Sequence, residues 1–352
     1  MAKYTAKLTF LDRTLTIEVD SGETILAAAR RQGVFLLSDC TLGVCGSCKA
    51  LRTEGHSEMD IDAQALTILE ARRGYVLTCQ SHARSDLSLQ FSYESARVGR
   101  AEARTVQADL VESAVVAESV VRLRLRTAEG EALEFRPGQY VNVTVPGTSE
   151  RRSFSFANAP GTGSEMEFFV RILADGVMSN YLRDRARPGD RLEIAGPLGE
   201  FYLREPSRPI LMVAGGTGLA PMLSMLGHLS VSRADSPPIH LLYGVNRSSE
   251  IFGIERMEEY RRTLADLRYE VAVAFSESDW SGSRGFVTDL LREDLLPPAG
   301  LDAYLCGPPP MIEAATSWLA ARGLPLQDIH CEKFSASGSP AECVINGGRE
   351  DE

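Results

Sequence analysis

Long apolar runs, basic residues in excess and cysteines in ladder-like pairs are what this sequence lacks. No hydrophobic stretch approaches the roughly 18 residues needed to cross a bilayer, so no membrane span is expected. The first residues, Met1 to Lys7, do not show the basic-then-apolar build of a secretory signal. Lys and Arg number 37 against 48 Asp and Glu, a formal charge of −11. Nucleic acid would select a basic face, so that class is set aside. An acidic surface suits docking on a basic protein partner, although many soluble proteins are simply acidic. Seven cysteines in 352 residues form no disulfide framework, which points to a reducing cytoplasm.

Four of those cysteines carry the strongest signal. Cys40, Cys45 and Cys48 follow the spacing C-x4-C-x2-C, and Cys79 comes later. That is the plant-type spacing for a 2Fe–2S cluster. Thiolates must converge from a tight loop whose backbone N–H groups point at sulfur, and Gly43 and Gly46 suit such a loop. Buried thiols or a zinc site are the alternatives. Zinc knuckles prefer two C-x2-C units, and only one is present.

Around this loop the chain reads as three domains. Residues 1–95 show two alternating strands, a helix from Ile25, the cysteine loop and a closing strand at Leu87–Phe91, the outline of a β-grasp ferredoxin domain. Residues 96–103 lack apolar period and read as a linker. Residues 104–205 carry short alternating strands separated by Pro-Gly turns, with one helix at Ser179–Arg187, a pattern for a small antiparallel β-barrel. Residues 206–336 alternate strands with helices, beginning with the apolar run Pro209–Ala214, and predict a doubly wound parallel sheet. The tail, 337–352, is rich in Gly, Ser and acid and is expected to be disordered. The class is therefore multidomain, α+β followed by α/β.

Arg151-Arg152-Ser153-Phe154-Ser155 in the barrel brings together a guanidinium that can fork onto a diphosphate, an aromatic face and a hydroxyl. Alone it also fits an ordinary exposed arginine beside a half-buried strand. Gly176-Val177-Met178-Ser179 opens a helix, a feature that receives phosphate, and the two together fit a flavin diphosphate clamp. Gly215-Gly216-Thr217-Gly218-Leu219-Ala220-Pro221 stands between a buried strand and a helix, where glycines admit a dinucleotide pyrophosphate and Pro221 suits a first turn. Cys306-Gly307-Pro308 ends a later strand, so Cys306 either faces a nicotinamide or is a packed small thiol. Phe334 either lies on the flavin or packs in the core. Cys331, Cys343, both tryptophans and all five histidines have no constellation around them.

In this order, the motifs resemble the NADH-dependent reductase components of multicomponent aromatic-ring-hydroxylating dioxygenases, of the benzoate 1,2-dioxygenase reductase type within the ferredoxin–NADP reductase superfamily. The segments Gly138–Thr144 and Glu332–Ala336 share in the likeness, which covers residues 4 to about 337. The resemblance implies a cluster on Cys40, Cys45, Cys48 and Cys79; FAD on Arg152, Phe154 and Ser155, with Gly176 and Ser179 at its diphosphate; and NADH on Gly215, Gly216, Thr217, Gly218, Pro221, Cys306, Gly307 and Pro308. Ser155 would stand near flavin N5 and Cys306 near the hydride-donor carbon. Two positions depart from the family pattern: Phe154 replaces the usual Tyr, and Thr41 stands where Arg is common. The implied activity is electron transfer from NADH to a terminal oxygenase component, by a monomer. Other acceptors, such as a di-iron monooxygenase or a deoxysugar dehydrase, and a nucleotide-binding redox sensor without turnover, are the competing readings. Arg247 could meet a 2′-phosphate, although Glu250 and Glu277 are nearby in sequence.

Overall fold

The computed structural model describes residues 2–60, 64–95, 104–128, 130–232, 236–275 and 280–334. The expected linker, the tail, Glu277 and Cys343 lie outside these residues. In the first domain β1 (Lys3–Thr9) and β2 (Thr14–Asp20) form a hairpin whose alternate residues Ala6, Leu8, Ile17 and Val19 are buried. Helix α1 (Ile25–Arg31) is capped by Thr24, whose side chain accepts the Ala27 N–H. The hairpin joins β3 (Lys49–Glu54), β5 (Tyr75–Leu77) and β7 (Leu87–Gln90) in the order β2-β1-β7-β3-β5, with β1 and β7 parallel. This is the β-grasp arrangement. Two three-residue strands, β4 (Ser57–Met59) and β6 (Ser81–Ala83), pair beside it. They are too short to show an alternation in sequence.

A short helix, α2 (Ile68–Arg72), follows β4. Thr67 and Glu70 make a capping box at its start, and Glu70 also receives Lys49 Nζ at 2.6 Å. With Glu70 buried, the adjacent ammonium holds its carboxyl below the ordinary range against the cost of desolvation.

The second domain is a six-stranded antiparallel sheet curled into a barrel, in the order β11-β10-β13-β8-β9-β12. The strands are β8 (Arg104–Ala117), β9 (Val120–Thr127), β10 (Tyr140–Thr144), β11 (Arg151–Ser155), β12 (Glu165–Arg171) and β13 (Arg191–Leu198). The expected helix Ser179–Arg187 begins earlier, as α3 (Val177–Asn180), and widens into a π-turn over Tyr181–Arg185. Ala186 N–H reaches back to the Tyr181 carbonyl, and Pro188 prevents continuation.

The third domain is a wholly parallel sheet in the order β17-β16-β15-β14-β18-β19. Its strands are β14 (Ile210–Gly215), β15 (Ile239–Val245), β16 (Leu267–Val273), β17 (Ser283–Arg284), β18 (Asp302–Gly307) and β19 (Ile329–Lys333). Helices α4 (Leu219–Ser232), α5 (Ile254–Thr263) and α6 (Pro309–Ala321) cover it. The strand order reverses between β14 and β18. In doubly wound sheets the ligand crevice opens at that switch point, beyond the carboxyl ends of the strands. Gly215 and Gly307 are those ends. No helix among the described residues is long and apolar enough to cross a membrane.

Candidate functional site

The cysteine loop runs from Asp39 to Cys48 without regular secondary structure. Its backbone turns left-handed at Thr41, Gly43 and Gly46, with φ of 54°, 78° and 74°. Only glycine takes such angles without strain, which explains the two glycines and makes Thr41 the costly member. Gln80 restrains that residue by donating from Nε2 to the Thr41 carbonyl at 2.6 Å. The turn aims the Leu42 and Cys45 N–H groups at Cys40 Sγ, at 3.3 and 3.4 Å. Cys48 and Cys79 bring their sulfurs to 3.3 Å.

The thiols therefore stand as two hydrogen-bonded pairs, Cys40 with Cys45 and Cys48 with Cys79. Donation from the partner thiol lowers Cys40 to about 6 and Cys79 to about 7, despite burial. The donors, Cys45 and Cys48, are raised by the same bonds and by burial. Among the described residues no three His, Cys, Asp or Glu side chains converge on one ion position. A zinc ion needs four converging ligands, whereas two irons sharing four cysteines need two pairs. The buried Ser47 hydroxyl has no oxygen or nitrogen partner and faces the Cys45 thiol, a donor already aimed at sulfur. The residues present fit a 2Fe–2S cluster.

On β11 the alternation of the strand places Arg152 and Phe154, both half-buried, on one face and Ser155 on the other. Arg152 is held by Glu150 and by the Arg151 carbonyl. Phe154 tilts against Phe168, centroids 6.5 Å apart. Ser155 is buried, and its hydroxyl donates to Glu332 Oε2 at 3.2 Å across the boundary with the third domain. Gly176 is the residue before α3. A Cβ there would sit 2.7 Å from Ser179 Oγ, which accepts the Leu173 N–H at 2.9 Å. The buried Ser179 hydroxyl thus braces the turn that leads into the helix.

At the switch point the two glycine-bearing loops pack on each other. A Cβ on Gly218 would lie 2.2 Å from the Cys306 carbonyl oxygen, and one on Gly215 would lie 2.7 Å from Pro308 Cδ. Gly216 and Thr217 form a 3₁₀ turn into α4, so the helix starts at Leu219 and Pro221 falls in its first turn. Gly216 also lies beside the Arg171 guanidinium of the barrel. Cys306 is fully buried, and desolvation pushes its thiol well up. Phe334 is half-buried against the third-domain core, and its N–H bonds the Gly307 carbonyl at 2.8 Å. Arg247 is exposed, while Glu250 pairs with Arg171 and accepts the Asn246 N–H.

Four residues without a role in the sequence analysis, Glu332, Asp39, Tyr140 and Asn142, make contacts between domains here. Glu332 stands half-buried behind Ser155, and desolvation pushes its carboxyl up to about 8, although the Ser155 hydrogen bond opposes this. Asp39, the neighbour of Cys40, accepts from Tyr140 Oη at 2.6 Å and from Asn142 Nδ2 at 3.1 Å. Glu332 shares its sheet with Glu270 and Asp302, so only its place in the Glu332–Ala336 segment drew notice to it. Asp39 and Tyr140 gave no signal of their contact, being 101 residues apart.

Residues 8–84 match the 2Fe-2S iron-sulfur cluster binding domain family, 107–202 the oxidoreductase FAD-binding domain family, and 212–317 the oxidoreductase NAD-binding domain family. The chain is 35% identical over 339 residues to the anthranilate 1,2-dioxygenase electron transfer component of Acinetobacter baylyi, covering 96% of this chain and 98% of that one. It is 38% identical to the toluate 1,2-dioxygenase electron transfer component of Pseudomonas putida, covering 92% of this chain and 96% of the relative. Among solved structures, a cytochrome P450 reductase from Amycolatopsis superposes with a TM-score of 0.69 at 30% identity, over 94% of this chain and 99% of the other.

Proposed function

Because the chain belongs to the family of iron–sulfur flavoprotein electron transfer components of aromatic-ring 1,2-dioxygenases, we propose that it draws electrons from NADH and delivers them singly to the oxygenase component of a Rieske aromatic-ring dioxygenase. The chain is an NADH-dependent oxidoreductase with 2Fe–2S, FAD and NAD domains. We place the domains at 1–95, 104–205 and 206–336, and the protein in the cytoplasm as a monomer. The observation that carries the reading is the meeting of all three domains at Ser155, Glu332 and the cysteine loop.

A flavin held here would supply the exchange between two-electron and one-electron transfer, and a cluster would supply a one-electron carrier. The chain's part is binding and placement. Cys40 with Cys45 and Cys48 with Cys79 hold the iron pair, and the N–H groups on Cys40 stabilise thiolate charge. Arg152 and the turn at Gly176 and Ser179 are our candidates for the FAD diphosphate, Phe154 for its ring face, and Phe334 for the opposite side. Gly215, Gly216, Thr217, Gly218 and Pro221 present the crevice for the NADH pyrophosphate, with Gly307 and Pro308 across from them. Ser155 and Cys306 are our candidates for the groups beside the hydride path.

The test is Cys45→Ser. It should leave NADH-driven ferricyanide reduction within about twofold of wild type, since the nucleotide and flavin domains are untouched, and should abolish cytochrome c reduction. Undiminished cytochrome c reduction would remove the cluster from the route.

A further inference from the structure

We infer that Asp39 is a positioning residue that fixes the iron–sulfur loop against the flavin domain, and that the Asp39–Tyr140–Asn142 contact sets the rate at which electrons cross between the two cofactors. This rests on the functional reading above. Asp39 immediately precedes Cys40, a proposed ligand whose side chain belongs to the sulfur pair on that side of the loop. Its two carboxylate oxygens are used separately, Oδ2 by the Tyr140 hydroxyl at 2.6 Å and Oδ1 by the Asn142 amide at 3.1 Å. Such a two-point contact fixes orientation as well as distance, and the carboxylate makes both bonds charge-assisted.

The far side of the contact is equally constrained. Tyr140 is buried, and a Cβ on Gly199 would stand 2.7 Å from its ring, so the phenol has one place to go. Asn142 is oriented by the Ser153 hydroxyl, which donates to its Oδ1 at 2.7 Å and leaves the amide N–H₂ for Asp39. In the pairing of β10 with β11, Tyr140 lies opposite Ser155 and Asn142 opposite Ser153. The strand pair that presents Ser155 to the flavin therefore also grips the residue beside Cys40. A path of Cys40, Asp39, Tyr140 and Ser155 crosses the domain boundary with one hydrogen bond and one strand pairing. Desolvation keeps the phenol protonated, as a donor must be.

The experiment uses the holoenzyme, with Tyr140→Phe and Asp39→Ala compared with Asp39→Asn. Stopped-flow mixing with NADH resolves flavin reduction from the later bleaching of the cluster. Tyr140→Phe and Asp39→Ala should leave the first step within about twofold and slow the second by about tenfold, the shift in docked population expected when a charge-assisted hydrogen bond is lost. Asp39→Asn still accepts from Tyr140 and should recover most of the rate. Hydrogen exchange gives a second readout, since amides of the 36–42 segment should lose protection in Tyr140→Phe. Cluster bleaching at the wild-type rate in both Tyr140→Phe and Asp39→Ala overturns the inference. If Asp39→Ala does not retain iron, Tyr140→Phe decides alone, because its change lies outside the cysteine loop. Failure of NADH to reduce flavin in the unaltered protein would instead overturn the functional reading.

Discussion

Glu332 shows how a single side chain acquires a property its sequence position does not announce. Its carboxyl is lifted from 4.5 to about 8 because burial strips it of water, with only the Ser155 hydroxyl to favour the charge. A carboxyl that binds its proton more tightly when folded makes a contribution to stability that falls as pH climbs from about 4.5 to about 8 and is level outside that window. Glu332→Gln keeps a group that can accept from Ser155 and removes the titration. The variant's melting temperature should therefore fall less than that of wild type between pH 5 and pH 8. Parallel pH profiles in thermal unfolding would show that Glu332 titrates normally. The four cysteines proposed for the cluster, by contrast, stand out by spacing alone, and the structure brings them together as two pairs.

Among the elements, the long strands were found because alternation or continuous burial extends over enough residues to read. β14 (Ile210–Gly215) lies within one residue of the apolar run Pro209–Ala214. The three-residue strands β4, β5 and β6 carry no period and exist through their partners. The Gly215–Pro221 segment could be proposed as a nucleotide loop from its residues, but its glycines have a packing task that only the structure reveals. Gly218 is where the start of α4 touches the backbone at the end of β18. Gly218→Ala has no flexible neighbour to displace, so it should cost about 3 kcal/mol. Gly161→Ala, at φ +79° with open space around it, should cost only about 1 kcal/mol of backbone strain. Denaturant midpoints of the two variants make the comparison, and NADH titration should show weaker binding for Gly218→Ala alone. Equal midpoint shifts would mean that the close approach to Cys306 carries no weight.

At the scale of the whole molecule, the order of domains could be read directly, while their docking could not, since it depends on contacts hundreds of residues apart. Lys333 Nζ reaches the Leu66 carbonyl at 2.7 Å and Glu313 Oε1 at 2.7 Å, and Glu313 Oε2 accepts the Ile68 N–H at 3.0 Å. This links the ferredoxin domain at the start of α2 to α6 and β19. The Lys333 side chain is 6% exposed, so removing its charge leaves Glu313 facing a poorly solvated boundary. Lys333→Met should loosen the ferredoxin domain by about 2 kcal/mol, less than a fully buried pair because Glu313 is partly solvated. Melting followed separately by cluster absorbance and flavin fluorescence should split into two transitions. A single coincident transition would place the docking strength elsewhere.

Strand β19 carries both Glu332 and Lys333, and it is the last strand of the described chain. Synthesis delivers the ferredoxin domain first, and domains generally fold as they emerge. Its anchorage to the third domain is nonetheless completed only by the final strand, so a domain made before the other two is the last to be fully moored. A product broken off before Ile329 would keep its cysteine loop, Asp39 and Glu313, yet lack the ammonium that ties Leu66 to α6.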